Sequence, residues 1–219
     1  MMKACDIVIK HLLEEIVRGK IEPGDKLQSA DSMAKLCGTS VLSAREAMQS
    51  LANIGIIEII HGRGVFLTNG APVIEELLEA RRVLESHNAM MAAQNISAEE
   101  LQALETLLNG MDEDLKAGDT ESFSEKDIEF HYSIGKAAGN RILFKTLINI
   151  RNLLYYQLFT INRLPNIIER SSQCHWEIFK AIRQRDPETA RSRMWNHITE
   201  TIESWKKVWP ASNYGGPLH

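Results

Sequence analysis

The chain has little cysteine, no long apolar run and no excess of basic charge. Its three cysteines, Cys5, Cys37 and Cys174, are far apart and form no Cys-x-x-Cys pair, so we predict neither a disulfide framework nor a zinc finger. No apolar segment approaches the roughly 20 residues that span a bilayer, and the N-terminal residues lack the apolar core of a signal peptide. These absences favour a cytoplasmic protein with reduced thiols and no membrane partner.

The charge balance sets a condition on any binding of nucleic acid. The formal net charge of the 219 residues is -4, with 44% hydrophobic and 25% charged residues, a composition typical of a globular protein with two modest domains. Residues 1–69 contain eight lysines and arginines and eight aspartates and glutamates. A DNA-binding surface in this part must therefore concentrate its basic groups on one face.

Residues 29–53 have the apolar spacing of two short helices that share one core. Apolar side chains recur there at steps of three and four residues, namely at Met33, Leu36, Ala44, Ala47, Met48 and Leu51. Gly38 is placed to end the first helix and Ser40 to cap the second. The residues that follow Ser40 then occupy the part of a recognition helix that meets base edges in a major groove.

A hairpin is predicted after the second helix. The run 56–60 is too short and too rich in β-branched residues for a helix, and 65–67 provides a returning strand. The turn at 61–64 places Arg63 at a flexible tip, within reach of a phosphate or a minor groove. We therefore predict a winged helix-turn-helix whose DNA contacts come from Ser40, Val41, Leu42, Ser43, Arg45, His61, Gly62 and Arg63.

The rest of the chain is helical in pattern. One helix is predicted before the winged segment, at 6–18, and six after it, at 73–93, 98–117, 124–138, 141–162, 165–185 and 187–209. Ser97 with Glu100, Asn140, and Asp186 before Pro187 mark three of the starts. The predicted protein is mainly α, with a DNA-binding domain at 1–69, a linker at 70–72, a bundle of about six helices at 73–210 and a mobile tail at 211–219.

Three histidines and an aspartate stand out in the second part. Asp127 and His131 are four residues apart, so both project from one helical face. This spacing suits two metal ligands, although such a pair alone is more often a hydrogen-bonded pair. His175 and His197 each lie in mid-helix beside an apolar stripe. Since all these helices must pack in one bundle, the four side chains could converge.

The first part resembles the DNA-binding domain of the GntR family of bacterial transcription regulators. The resemblance rests on the order and spacing of Pro23–Leu27, Ala34–Leu36, Arg45–Met48, Gly55–Ile57 and Gly62–Phe66. The chain departs from the family's usual pattern at 28–31, where Asp31 brings a negative charge, and at 41–43, where a common guanine-reading arginine is absent. The resemblance implies binding to operator DNA, with a different operator sequence or a lower affinity.

The second part resembles the FCD effector domain of the FadR-like branch of that family. The match covers Asp127–His131, Gly139–Asn140, His175, Asp186–Glu188 and His197. In a subset of the family, one aspartate and three histidines hold a divalent metal, which implies a Zn, Ni or similar ion at Asp127, His131, His175 and His197. Imidazoles with a single carboxylate suit such ions, and a six-coordinate ion would keep two positions for water or an effector carboxylate.

Three further residues are candidates for binding an acidic effector. Arg81 matches an arginine of the family's effector domain, with an ion pair to Glu85 as its alternative role. Arg193 lies one turn before His197, where it would clamp a carboxylate if it pointed inward and would be a solvated charge if it pointed outward. Tyr155 belongs to a helix expected to line the bundle.

These features predict a metabolite-responsive repressor rather than an enzyme, with operator DNA and a small organic acid as partners. A homodimer is expected because one short recognition helix reads too little sequence. A metal-dependent hydrolase is one alternative, because the same four residues could activate water, with Glu200 as the only candidate base. The other is a DNA-binding module whose second domain only dimerises, which would leave the four residues unexplained.

Overall fold

The computed structural model describes residues 4–17, 20–53, 55–68, 71–149 and 166–208. Within these ranges the chain forms nine helices and one two-stranded sheet, as expected for a mainly α protein. It separates into two compact units, of which the first ends at Glu76 and the second runs from Leu77 to Val208. No helix in the described part of the chain is long and apolar enough to cross a membrane.

Three helices and a hairpin form the first unit. Its elements are α1 (Ala4–Val17), α2 (Ala30–Cys37), α3 (Val41–Asn53), β1 (Ile57–Ile60) and β2 (Gly64–Leu67). The two strands pair antiparallel, with Ile57 opposite Leu67 and Ile60 opposite Gly64. Helix α3 packs against α1 and α2, and the core between them is apolar. Its buried side chains include Val8, Leu12, Leu13, Ile16, Met33, Ala44, Ala47, Met48 and Leu51.

Local signals fix the turns of this unit where the sequence places them. Gly38 ends α2 in the left-handed conformation, with φ 64°, and the Thr39 N–H donates to the carbonyl of Ala34 at 2.9 Å. Ser40 caps α3, because its Oγ accepts a hydrogen bond from the Ser43 N–H at 3.0 Å. The predicted winged helix-turn-helix is therefore confirmed.

One predicted core residue of this unit is exposed. Leu36 is 55% exposed, although its spacing from Met33 predicted burial. Met33 and Ala34 are buried and Cys37 is half-buried, so the centre of the buried face lies between them. At 100° per residue, Leu36 lies about 110° away from that centre, and its side chain faces outward.

Six helices contribute to the second unit, the first of them from Leu77 onwards. They are α4 (Ala71–Asn95), α5 (Ala98–Ala117), α6 (Thr120–Ala137), α7 (Arg141–Asn149), α8 (Ile167–Arg183) and α9 (Pro187–Val208). Helix α5 packs against α6 and α8, α8 packs against α9, and α6 packs against α7. Large buried side chains fill the interior, among them Phe123, Phe130, Phe179 and Trp205.

The helix starts in the second unit confirm the capping predictions. Ser97 and Glu100 form the capping box of α5, with hydrogen bonds of 3.1 and 3.0 Å. Asn140 Oδ1 accepts from the N–H groups of Ile142 and Leu143. Asp186 accepts from the Thr189 N–H at 3.0 Å.

Helix α1 begins at Ala4 rather than at residue 6, and two helix starts of the second unit also differ from the prediction. Helix α6 begins at Thr120 rather than Ser124, because Asp119 accepts a hydrogen bond from the Ser122 N–H at 2.9 Å and caps the helix one turn earlier. Helix α4 begins at Ala71, so Ala71 and Pro72 of the predicted linker are helical, as proline in a first helical turn allows.

Several sequence predictions lie outside the described residues. They concern 69–70 of the linker region, the second half of the predicted helix at 141–162 together with Tyr155, the start of the next helix at 165, Trp209, and the tail at 211–219.

Candidate functional site

The first candidate site is the exposed start of α3. Ser40 and Ser43 form the cap, with their hydroxyl oxygens 2.9 Å apart. Leu42 is 67% exposed, and Arg45, three residues on, is exposed as well. Since residues three apart share a helical face, Leu42 and Arg45 present an apolar group and a guanidinium side by side. This pair can contact a thymine methyl and the acceptor edge of a guanine.

The wing supplies the remaining predicted DNA contacts. His61, Gly62 and Arg63 are all exposed in the turn between β1 and β2, and Gly62 adopts a positive φ of 74°. The Arg63 guanidinium lies 5.9 Å from the centroid of the Phe66 ring, an arrangement in which the ring face supports the cation. Of the other predicted contact residues, Val41 is half-buried and therefore offers less surface to a ligand.

The second candidate site lies inside the helical unit, where four predicted ligands meet. Asp127 and His131 come from α6, His175 from α8 and His197 from α9, and all four are buried. Each offers a ligand atom such that the four atoms lie within 4.8 Å of one another. The sequence prediction that these side chains converge is confirmed in the geometry.

The distances within the cluster are short. His175 Nε2 lies 3.1 Å from Asp127 Oδ1 and 3.3 Å from His197 Nε2, and His131 Nε2 lies 3.9 Å from Asp127 Oδ2. Both oxygens of Asp127 and the Nε2 of His131 nevertheless have no well-directed hydrogen bond within the described ranges. The approach of His175 to Asp127 is therefore an electrostatic contact rather than an aligned hydrogen bond.

A second buried carboxylate supports the cluster from α4. Glu85 contacts His131 Nδ1 through one carboxylate oxygen, and its other oxygen lies 2.5 Å from Arg81 Nε. All three side chains are at most 2% exposed. The contact occupies the Nδ1 side of the His131 ring, which leaves Nε2 on the side of Asp127.

The environment lowers the pKa of each of four groups. Burial opposes ionisation of Glu85, but the charges of Arg81 and His131 outweigh it and lower its pKa to about 2. Burial likewise opposes ionisation of Asp127, whose pKa is nevertheless lowered by nearby His175. Burial is the main cause that lowers the pKa of His175, and it lowers that of His197 well below the usual range. These directions favour neutral imidazoles at His175 and His197 and an ionised carboxylate at Asp127, the forms that bind metals.

The predicted effector residues are divided between the interior and the surface. Arg81 is buried in the ion pair with Glu85 that the sequence offered as its alternative role. Arg193 points outward, with its side chain 49% exposed and its Nη1 2.9 Å from Glu177 Oε2. The structure therefore does not bring Arg193 together with the four ligand residues.

The site residue that sequence reasoning missed is Glu85. Its spacing from Arg81 indicated an ion pair, but the pattern carried no signal that this pair would be buried against His131. The residue proposed as a hydrolytic base, Glu200, is instead 41% exposed and pairs with Arg170 Nη2 at 2.6 Å. The buried Glu85, with its low pKa, is a weak base, so no described carboxylate beside the cluster suits that alternative.

Comparisons with known proteins assign both parts of the chain. Residues 6–67 match the family described as bacterial regulatory proteins, gntR family, and residues 76–200 match the FCD domain. Similar proteins include the HTH-type transcriptional regulator LutR of Bacillus subtilis, which is 25% identical over 84% of this chain and 93% of its own length. The HTH-type transcriptional repressor NanR of Klebsiella aerogenes is 25% identical over 94% of this chain and 86% of its own.

Solved structures agree with this assignment at the level of the fold. A Streptococcus agalactiae GntR structure aligns with a TM-score of 0.54 and 26% identity, covering 91% of this chain and 99% of the other. The E. coli McbR/YncC structure has a TM-score of 0.70 at 18% identity, covering 94% of this chain and 99% of the other.

Proposed function

Because the chain belongs to the GntR family of bacterial regulatory proteins and carries its FCD domain, it is a DNA-binding transcriptional regulator, and we propose that it is a repressor controlled by a metal-dependent effector site. In this proposal, residues 1–69 bind operator DNA, and the helical domain at 73–210 binds one divalent ion and a small carboxylate. The convergence of Asp127, His131, His175 and His197 carries the proposal.

The spacing of the four ligand atoms supports a metal of the Zn or Ni type. Ligand atoms about 2.0–2.2 Å from such an ion lie about 2.8–3.6 Å apart when neighbouring ligands subtend right or tetrahedral angles. The 3.1 and 3.3 Å distances from His175 Nε2 fall in this interval. One Asp and three His side chains are also a donor set that these ions accept.

The buried polar atoms of the cluster give a second, independent reason. A buried carboxylate without directed hydrogen bonds destabilises a protein, by roughly several kcal/mol, unless a cation compensates it. Asp127 is 0% exposed and both its oxygens lack such bonds among the described residues. A divalent ion would satisfy these oxygens and the imidazole lone pairs together.

The carboxylate effector follows from the charge that the ion supplies. A divalent ion held by one carboxylate and three neutral imidazoles leaves a net positive site, which attracts an anion. Arg81 adds a second cation nearby, although Glu85 already neutralises part of its charge. Arg193 is outside this site because its side chain pairs with Glu177 at the surface, and Tyr155 remains a sequence-based candidate.

Operator binding requires two copies of the chain in this proposal. One recognition helix contacts only a few base pairs, so a homodimer with two half-sites is the usual solution in helix-turn-helix regulators. The repressor assignment draws on the relative from Klebsiella aerogenes, which is itself named a repressor. Sedimentation of the purified protein with and without operator DNA tests the dimer, and a stable monomer on DNA would contradict it.

The metal is tested by a matched pair of histidine variants in the same unit. Metal-free protein titrated with Zn or Ni should melt at a higher temperature, because an ion that binds only the folded state stabilises it. The rise should disappear in His175→Gln and persist in His87→Gln, since His87 is exposed and lies outside the cluster. Equal melting temperatures with and without the ion in the wild type would show that the histidines are core residues only.

The switch is tested by reciprocity between the two ligands. If an effector changes the affinity of the protein for operator DNA, operator DNA must change the affinity for the effector by the same factor. The coupling free energy is typically about 1–3 kcal/mol. Calorimetric titration of the metal-loaded protein with small organic acids, with and without operator DNA, measures the affinity for the acid in both conditions. If an acid binds equally in both conditions, the second unit is not a switch, and dimerisation remains its role.

A further inference from the structure

The segment before α2 extends the hairpin of the first unit at Lys26. Lys26 pairs antiparallel with Phe66 of β2. The main-chain hydrogen bonds come from its neighbours, since the Leu27 N–H donates to a β2 carbonyl at 2.8 Å and the Asp25 carbonyl accepts from a β2 N–H at 2.9 Å. In antiparallel pairs of this kind the two opposite side chains lie closest together. Lys26 and Phe66 therefore share one face of the sheet.

Gly64 leaves room for the Lys26 side chain on that face. A Cβ built at Gly64 would lie 2.6 Å from Lys26 Cε and 3.3 Å from Lys26 Nζ, and 2.6 Å is well inside the contact distance of two carbon atoms. Gly64 also adopts a φ of 124°, which favours glycine. The Lys26 ammonium thus lies over the backbone of the wing at Gly64, and its side chain is exposed.

A second cation lies on the same face. The Arg63 guanidinium is 5.9 Å from the centroid of the Phe66 ring. Gly64 and Phe66 are two residues apart on one strand and therefore share a face, so the two cations lie beside neighbouring positions. Glu58 of β1 is also opposite Phe66, but on the side of β2 away from Lys26. We call the surface formed by Lys26, Arg63, Gly64 and Phe66 the basic wing face.

We propose that Lys26 is a further DNA-binding residue and that the basic wing face binds the phosphate backbone of operator DNA. This inference rests on operator binding by the first unit. Two cations on one small exposed surface repel each other, and an anion beside them removes the repulsion. A lysine ammonium binds phosphate as a point charge without a fixed direction, so this contact carries no base preference.

The basic wing face meets the condition that the charge balance sets on the first unit. Residues 1–69 contain as many acidic as basic side chains, so their net charge does not attract DNA and the basic groups must act locally. Lys20 does not contribute in this way, because its ammonium pairs with Glu15 at 2.9 Å. Lys26 and Arg63 concentrate two positive charges on the wing.

The test measures how the salt dependence of DNA binding changes when one charge is removed. Lys26→Met deletes the ammonium and keeps an unbranched apolar side chain over Gly64. Fluorescence anisotropy over a series of KCl concentrations is measured with the duplex preferred by the wild type and with an unrelated duplex of equal length. The slope of log affinity against log salt should fall in magnitude by about 1 on both duplexes, because one phosphate contact is lost. The base preference should not change.

Two further variants separate the charge of Lys26 from other effects. Lys20→Met is the same substitution at a lysine already paired with Glu15, and it should leave the slope unchanged. Lys26→Arg keeps a positive charge that binds phosphate and should retain the wild-type slope. The urea midpoint of Lys26→Met should equal that of the wild type, because the side chain is exposed. If Lys26→Met does not fold, Lys26→Gln is measured in the same way.

The outcomes separate this inference from the function on which it rests. If the wild type binds neither duplex, operator binding by the first unit fails, and the role of Lys26 fails with it. If the wild type binds and Lys26→Met keeps its slope, only the role of Lys26 is overturned. An equal fall in Lys20→Met would overturn it as well, because net charge alone would then explain the effect. So would a changed base preference in Lys26→Met, because the contact would then be to a base edge.

Discussion

In the first unit the predicted contact residues lie on the surface over an apolar core, whereas in the second unit the candidate ligands form part of the core itself. Leu42 is 67% exposed, and Arg45 and Arg63 are exposed too. By contrast, the four candidate ligands and the supporting ion pair are all at most 4% exposed, namely Asp127, His131, His175 and His197 with Arg81 and Glu85.

This difference separates function from stability in one unit and joins them in the other. An exposed side chain contributes little to the free energy of unfolding, so substitutions on α3 or the wing should change DNA binding and leave the fold intact. A buried charge that loses its partner destabilises the folded protein. Substitutions in the second unit should therefore change stability, metal binding and effector binding together.

The largest expected effect is on the buried ion pair of the second unit. Glu85→Gln removes the charge that compensates Arg81, so the free energy of unfolding of metal-free protein should fall by about 3–5 kcal/mol. Urea unfolding followed by tryptophan fluorescence measures it, because Trp176, Trp195 and Trp205 all lie in this unit.

The surface pair of the same unit provides the control. Glu177→Gln breaks the ion pair with Arg193, whose two side chains are 45% and 49% exposed, and exposed pairs of this kind contribute only about 0–1 kcal/mol. If Glu85→Gln and Glu177→Gln lowered the free energy of unfolding by similar amounts, the buried and the exposed ion pair would not differ in their contribution to stability.

Much of the fold follows from signals that act within a few residues. Caps such as Ser97, Asn140 and Asp186 depend on hydrogen bonds three residues away, so the sequence contains the whole interaction. The predicted start of α6 at Ser124 is wrong because Asp119, an equally local signal, caps the helix one turn earlier. The exposure of Leu36 and of Arg193 could not be predicted in this way, because each depends on what the neighbouring elements bury.

The residue pattern predicts only part of the candidate metal centre. The spacing of Asp127 and His131 is local, but the meeting of His175 and His197 with them depends on how three helices pack, and the family resemblance supplied that information. No feature of the residue pattern indicates that Glu85 is buried against His131. A long polar side chain on an amphipathic helix is usually solvated, so only tertiary packing reveals this role.

An intermediate effect is expected at the recognition helix of the first unit. Arg45→Ala should weaken binding to the preferred duplex, selected by the wild type from random sequences, by about 1–3 kcal/mol and relax the base preference at one position. The urea midpoint should not change, because Arg45 is exposed. Arg193→Ala removes the same charge from the surface of the second unit and should leave the base preference intact. Retained discrimination in Arg45→Ala would contradict a base contact.

The smallest effect is expected at the wing, where Arg63 differs from Arg45 in what it contacts. A guanidinium at an exposed turn beside Phe66 reaches the phosphate backbone without a fixed base edge, so Arg63→Ala should weaken all duplexes alike. Because the variant makes one phosphate contact fewer, its binding releases about one counterion fewer. The slope of log affinity against log salt should therefore fall in magnitude by about 1. Fluorescence anisotropy over a series of KCl concentrations measures this slope. An unchanged slope with an altered preference at flanking A·T pairs would instead place Arg63 in the minor groove, where groove width carries sequence information.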